Sequence, residues 1–197
     1  MTNKLFFENY IEDFSNVLSS VKTFSSDLEK ICNIFKNNSK NGSKVIICGN
    51  GGSAAIASHV SVDLMKNANI RSVNLNEADL ITCYANDYGF SNWIKEALIK
   101  LSDKNDTVVL ISSSGNSENL VRAAEWCKEN KITTITLTGM SENNKLKNVS
   151  RNNLNIWIDS TAYNYIENIH QIILLSVVDA LIGSPEYKAT PEGYQKD

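Results

Sequence analysis

Apolar side chains recur every three or four positions through the first part of the chain, from Leu5, Phe6 and Tyr10 through Phe14, Val17 and Val21 to Leu28, Ile31 and Phe35. That spacing predicts an amphipathic helical arm over residues 4–36, as one long helix or two shorter ones. A polar break, Asn37-Asn-Ser-Lys-Asn-Gly42, separates it from the first of five short Val/Ile/Leu-rich runs, at 44–48, 71–75, 107–112, 133–138 and 154–158. Helical patterns lie between them at 53–66, 79–86, 91–101 and 118–130, and a long one follows at 161–182. Strands that are apolar on both faces and alternate with helices imply crossover units and a parallel sheet covered on both sides. The expected class is therefore α/β, three layers in the order αβα, in one domain spanning 1–183 with the helical arm included. From Ser184, with Pro185, Pro191 and Gly193, no regular element is predicted, and 184–197 is read as a tail.

Composition changes this picture little but narrows the function. The chain has 197 residues, 42% hydrophobic and 21% charged, with a net charge of −3. Its Lys and Arg are scattered rather than gathered in a stripe, so a face that binds nucleic acid directly is not expected. Cys32, Cys48, Cys83 and Cys127 form no C-x-x-C pair, and no cationic and apolar leader opens the chain. Reduced thiols in the cytoplasm are the expectation. The apolar run from Ile172 to Val178, broken by Ser176, is far shorter than the ~20 residues that span a bilayer, so no membrane segment is expected.

Two loops carry the candidate chemistry. Gly49-Asn50-Gly51-Gly52-Ser53 follows the first strand, its glycines free to bring backbone N–H groups close to an anion and Ser53 placed to cap the next helix. Ser112-Ser113-Ser114-Gly115-Asn116-Ser117 follows the third strand and sets four hydroxyls around one glycine before another helix start. Hydroxyls and amides at a helix N-terminus bind phosphate without a lysine, helped by the helix dipole. Gly49-x-Gly51-x-x-Ala54 also fits a permissive dinucleotide fingerprint. That reading needs an acidic residue at the end of the second strand, where the chain has Arg71-Ser-Val-Asn-Leu-Asn76 and the nearest candidate, Glu77, lies too late, and it leaves the serine loop idle. A smaller phosphorylated ligand and no nucleotide cofactor are expected instead.

The polar residues on the helices come next. At ~100° per residue, Ile56, Val60 and Leu64 form a buried stripe with His59 and Asp63 beside it, four residues apart. The pair either seals the edge of the core or moves protons or binds a metal next to the first loop. On the long last helix Glu167 and His170 are the titratable groups of a half-buried turn, and a histidine on an apolar face is more often a satisfied core residue than a ligand.

Five ordered blocks, Gly49-Asn-Gly-Gly-Ser53, Ala85-Asn-Asp-Tyr-Gly-Phe90, Ile111-Ser-Ser-Ser-Gly-Asn-Ser117, Ile135-Thr-Leu-Thr-Gly139 and Ile166-Glu-Asn-Ile-His170, together resemble the phosphoheptose isomerases of the sugar-isomerase (SIS) domain superfamily. The resemblance runs from about residue 4 to 182. It implies a flavodoxin-like five-stranded parallel sheet and a homotetramer built partly through the N-terminal helix. It implies binding of a sugar phosphate between subunits, and conversion of sedoheptulose 7-phosphate to D-glycero-D-manno-heptose 7-phosphate for lipopolysaccharide or capsule. It places Asn50, Gly51, Gly52, Ser53, Asn86, Asp87, Ser112, Ser113, Ser114 and Ser117 at the substrate. The family's catalytic glutamate corresponds to Asp63, its glutamine on the last helix to Glu167, and its second catalytic histidine to Leu175. Catalysis is thereby expected to fall to Asp63 as base, with His59 or Glu167 as partner. Some members hold zinc at these positions, which leaves His59, Asp63 and Glu167 as three possible ligands. A non-catalytic branch of the family binds the bacterial replication initiator, and this is the alternative function.

Overall fold

A computed structural model describes residues 3–150 and 154–190. Helices α1 (Asn3–Ser19) and α2 (Ser25–Asn41) are joined by a short 3-10 turn and precede strand β1 (Val45–Gly49) and helix α3 (Gly52–Lys66). Strand β2 (Ser72–Asn74) is followed by α4 (Ala78–Tyr88) and α5 (Trp93–Leu101), and strand β3 (Thr107–Ser112) by α6 (Glu118–Glu129). Strand β4 (Thr133–Thr138), a short α7 (Lys145–Val149), strand β5 (Leu154–Trp157) and α8 (Tyr163–Ile182) complete the order. The five strands are all parallel, in the order β2-β1-β3-β4-β5.

The near-continuous apolar strands do what their composition requires, feeding two cores. Val45 and Ile47 of β1, Val109 and Ile111 of β3, and Ile135 and Leu137 of β4 face α2, α3 and α8 together with Ile31, Phe35, Val60 and Ile173. Ile46, Cys48, Val108 and Leu110 point the other way, to Trp93, Leu98, Leu120 and Ala124 on α5 and α6. The fold is thus a three-layer α/β sandwich with helices on both faces of the sheet.

One local expectation is corrected, and two helices add to the reading. Asn37–Asn41 does not break the arm but forms the last turn of α2, which ends where Gly42 takes φ 70°. The polar residues are used: buried Asn38 donates to Ser43 Oγ and to the Asn105 carbonyl, both at 3.0 Å, and accepts from Thr107 Oγ1 at 2.9 Å. Helix α7 was not foreseen, because five residues give no periodicity; its cap is Asn144, whose side chain accepts from the Lys147 N–H at 2.9 Å. And α8 is by length and composition alone able to cross a membrane. It packs instead on α2 and α3, burying Ile166, Ile169, His170, Ile173, Leu174, Val177 and Val178 in the core. Residues 184–190 of the expected tail form no regular element, while 191–197 lie outside the described residues. All four cysteines are free thiols, Cys48 and Cys127 buried.

Candidate functional site

Strand order reverses at β1 and β3: the chain moves from β1 outward to β2, then returns to β3 and proceeds the other way. Loops leaving the carboxyl ends of two such neighbours diverge and open a crevice between them. The loops here are 49–53 and 112–117, and Gly49 lies in register with Ile111.

The first loop needs its glycines. A Cβ on Gly49 would stand 2.6 Å from the Ser53 backbone carbon, and Gly51 has φ 56°. Gly51, not Ser53, takes the N-cap position, without a side-chain cap; Ser53 is instead buried inside the first turn, its N–H bonded to the Asn50 carbonyl at 3.0 Å. The expected capping role of Ser53 is therefore corrected. In the second loop the Ser112 hydroxyl accepts from the Gly115 N–H at 3.1 Å and lies 3.4 Å from Ser117 Oγ. Ser114 Oγ accepts from the Asn116 N–H at 3.2 Å.

Side-chain amides hold these loops in place, two of them, on Asn119 and Asn76, unmarked in the sequence. Asn50 and Asn119 exchange two side-chain hydrogen bonds of 3.0 Å, tying the first loop to the start of α6. Asn76, beyond β2, accepts from the Gly49 N–H at 3.2 Å and donates to its carbonyl at 2.8 Å. It occupies the strand end where a dinucleotide site would carry its acid. Asn86 and Asp87 stay on the exposed part of α4, bonded to each other at 2.9 Å, and among the described residues neither bonds to the two loops.

The titratable groups stand apart, Glu167 in one place and His59 with Asp63 in another. Glu167 of α8 reaches between the loops, accepting from Ser113 Oγ at 3.3 Å with its carboxylate against Gly52, where any Cβ would collide with it. A negative charge thus stands at the positive end of α3. His59 and Asp63 form a pair, Nε2 to Oδ2 at 3.4 Å, with His59 half exposed and Asp63 mostly covered. Asp63 Oδ1 accepts from Asn67 Nδ2 at 3.2 Å, and His59 Nδ1 lies 3.2 Å from Gln171 Nε2. Among the described residues, no three His, Cys, Asp or Glu side chains converge as a metal site, so His59, Asp63 and Glu167 are not gathered for zinc within one chain. Leu175, at the position of the family histidine, is partly buried and packs against the hydrophobic core.

The carboxylate of Glu167 opposes any phosphate held by the same loops. At ~6 Å and an effective dielectric of ~40, one like charge is worth about 1.4 kcal/mol. Glu167→Gln is therefore expected to tighten binding of inorganic phosphate about tenfold by calorimetry, and unchanged affinity would separate Glu167 from the anion site.

His170 is the core residue the sequence suggested. It is fully buried, and its Nε2 donates to the Thr138 carbonyl at 3.2 Å. Burial pushes its pKa from 6.5 down to about 4, the hydrogen bond to Thr138 offsetting only part of that. The folded state keeps this ring neutral while the unfolded chain protonates it below 6.5, so its contribution is complete above pH 6.5 and lost as pH falls toward 4. The expected loss is about 3 kcal/mol. Urea midpoints measured between pH 7 and 4 should fall less steeply in His170→Gln than in the unaltered chain.

A glycine loop and a serine loop leave neighbouring strands at the reversal of strand order, the place where open α/β sheets bind their ligands, and residues 9–139 match the sequence model described as the SIS domain. The chain is 32% identical over 180 residues to the phosphoheptose isomerase of Buchnera aphidicola subsp. Acyrthosiphon pisum, an alignment covering 83% of this chain and 92% of that one. The phosphoheptose isomerase structure from Francisella tularensis superposes with a TM-score of 0.85 at 25% identity, covering 92% of this chain and 98% of the other. The fold also matches that from Neisseria gonorrhoeae, TM-score 0.84 at 22% identity, covering 91% and 99%. The chain belongs to the phosphoheptose isomerase family of SIS-domain proteins.

Proposed function

We propose that the chain is an aldose-ketose isomerase acting on a phosphorylated sugar, converting sedoheptulose 7-phosphate to D-glycero-D-manno-heptose 7-phosphate as a precursor of lipopolysaccharide or capsule. The observation that carries this reading is the pairing of the two loops at one crevice, with the His59–Asp63 pair on the helix that leaves the first loop. Gly51, Gly52, Ser53, Ser112, Ser113, Ser114 and Ser117 hold the phosphate and its neighbouring hydroxyls. Asn50 shapes the same cradle through Asn119, and Asn86 and Asp87 are assigned to the sugar.

The reaction moves one proton between C1 and C2. Asp63 takes the proton from the carbon next to the carbonyl, the electron pair passes into a C1–C2 double bond, and the carbonyl oxygen receives a proton from His59 or from the protonated form of Glu167. Asp63 then delivers its proton to the other carbon while the hydroxyl on the first carbon returns a proton to the acid, and the enediol collapses to the aldose. Leu175 has no proton to give. The zinc that some relatives use is not provided for by the donors of one chain, and no step here runs through a metal.

Residues 1–183 act as one cytoplasmic domain in this proposal and assemble as a homotetramer. Support comes from α1, which buries no residue of its own and leaves Phe6 and Phe7 more than half exposed. Phe7→Glu is expected to lower the mass found by light scattering, and an unchanged mass would remove α1 from the interface. The replication-initiator alternative is not favoured, since the relatives reported above carry isomerase names. Purified protein incubated with sedoheptulose 7-phosphate, with and without zinc, should yield the aldose; no product from any phosphosugar tried would sink the enzyme reading.

A further inference from the structure

We infer that Asn116 is a positioning residue for the phosphate cradle: its side chain engages a carbonyl of the serine loop that would repel an anion, and fastens the loop to α7. The inference deepens the proposed reading of that loop as a phosphate holder. It rests on that reading for its effect on affinity, though not for the fastening itself.

An anion site built from backbone needs its N–H groups free and its carbonyls engaged elsewhere. In the loop 112–117 the Ser114 carbonyl accepts from Asn116 Nδ2 at 3.1 Å, and the Gly115 carbonyl accepts from the Leu146 N–H at 2.9 Å. The N–H groups of Ser114 and Ser117 have no backbone partner among the described residues. Asn116 also works outward. Its own N–H donates to Ser114 Oγ at 3.2 Å, while its Oδ1 accepts from the Lys145 N–H at 3.2 Å. Lys145, Leu146 and Lys147 open α7, and the first N–H groups of a helix are those left without internal partners. Asn116 takes the first, Gly115 the second and Asn144 the third, the last at 2.9 Å. The serine loop thus supplies two of the three caps of α7. The join is close, since Gly115 has φ 64° and any Cβ there would collide with the side chain of fully buried Asn144. Five residues do not hold a helix alone, so α7 depends on the loop for its start. Phosphate on the loop therefore steadies α7, and by reciprocity a frayed α7 weakens phosphate binding.

Asn116 is exposed, so Asn116→Ala should fold with a urea midpoint close to that of the unaltered chain. Its affinity for inorganic phosphate, by calorimetry, should fall about tenfold. With sedoheptulose 7-phosphate KM should rise by a similar factor and kcat stay within about twofold, because a phosphate far from the reacting carbons is held equally in ground and transition states. Asn143→Ala, on the same β4–α7 connection but with its side chain bonded to Asn148 instead of the loop, should change neither. Hydrogen exchange followed by NMR supplies the second readout. Phosphate should slow the Lys145 and Leu146 amides of the unaltered protein, and Asn116→Ala should speed Lys145 with or without it. Phosphate affinity within about twofold in Asn116→Ala, kcat falling while KM holds, or Lys145 and Leu146 amides indifferent to phosphate would each overturn the inference. An unaltered protein that binds no phosphate would defeat the reading of the loop, and the Lys145 amide in Asn116→Ala would still decide whether Asn116 fastens it to α7.

Discussion

Asp63→Asn is expected to lower kcat by about 10²- to 10⁴-fold while leaving KM within a few-fold, the span that a positioned general base contributes. The substitution keeps the shape of the side chain and removes its charge and basicity. Its neighbours tolerate the change, because an amide oxygen still accepts from His59 or Asn67 and the residue is not sealed in the core. The phosphate loops lie on other residues, so affinity for inorganic phosphate should survive. Steady-state rates with sedoheptulose 7-phosphate, beside calorimetry with phosphate, separate the two effects. Full activity in Asp63→Asn would remove Asp63 from the base role and pass it to Glu167. Loss of phosphate binding together with turnover would show instead that α3 had shifted.

What the sequence made legible follows from how local each signal is. The five strands were found within a residue or two because each is a short Val/Ile/Leu run between turn residues. The two loops were equally plain, since glycine and serine clusters are contiguous and sit between a strand and a helix. Asn119, Asn76, Asn67 and Gln171 were missed for the opposite reason. Each is a common polar residue whose role comes from a partner: Asn119 pairs with Asn50 across 69 positions, and Gln171 reaches His59 across 112. Asn38 was misread as part of a break because an asparagine in a polar stretch carries no mark of the buried bonds it will make. The helical wheel placed His59 and Asp63 as neighbours. It could not say that α8 would bring Gln171 to one side of the pair and carry Glu167 away to Ser113.

The opposite edge of the sheet carries the largest expected effect on stability. Asp106, fully buried just before β3, accepts from the Lys44 N–H at 2.9 Å, from the Asp103 N–H at 2.7 Å and from Lys44 Nζ at 2.7 Å. Lys44 precedes β1, so this one carboxylate fastens the entries of the two central strands. Burial works against the Lys44 ammonium, but Asp103 and Asp106 together outweigh it and hold its pKa above the ordinary value. Asp106→Ala would leave two backbone N–H groups without their acceptor and a largely covered ammonium with only exposed Asp103 beside it. Breaking such a buried pair costs about 3–5 kcal/mol, against a total stability of about 5–15 kcal/mol. Asp103→Ala, at a side chain 80% exposed, should cost under about 1 kcal/mol. The double variant Lys44→Met with Asp106→Leu should recover much of the loss, since removing both charges is far cheaper than stranding one. Urea unfolding followed by circular dichroism gives all three values. A loss under about 1 kcal/mol for Asp106→Ala would show the Lys44 ammonium finding water instead, and the hold on the strand entries would then rest on the backbone ladder alone.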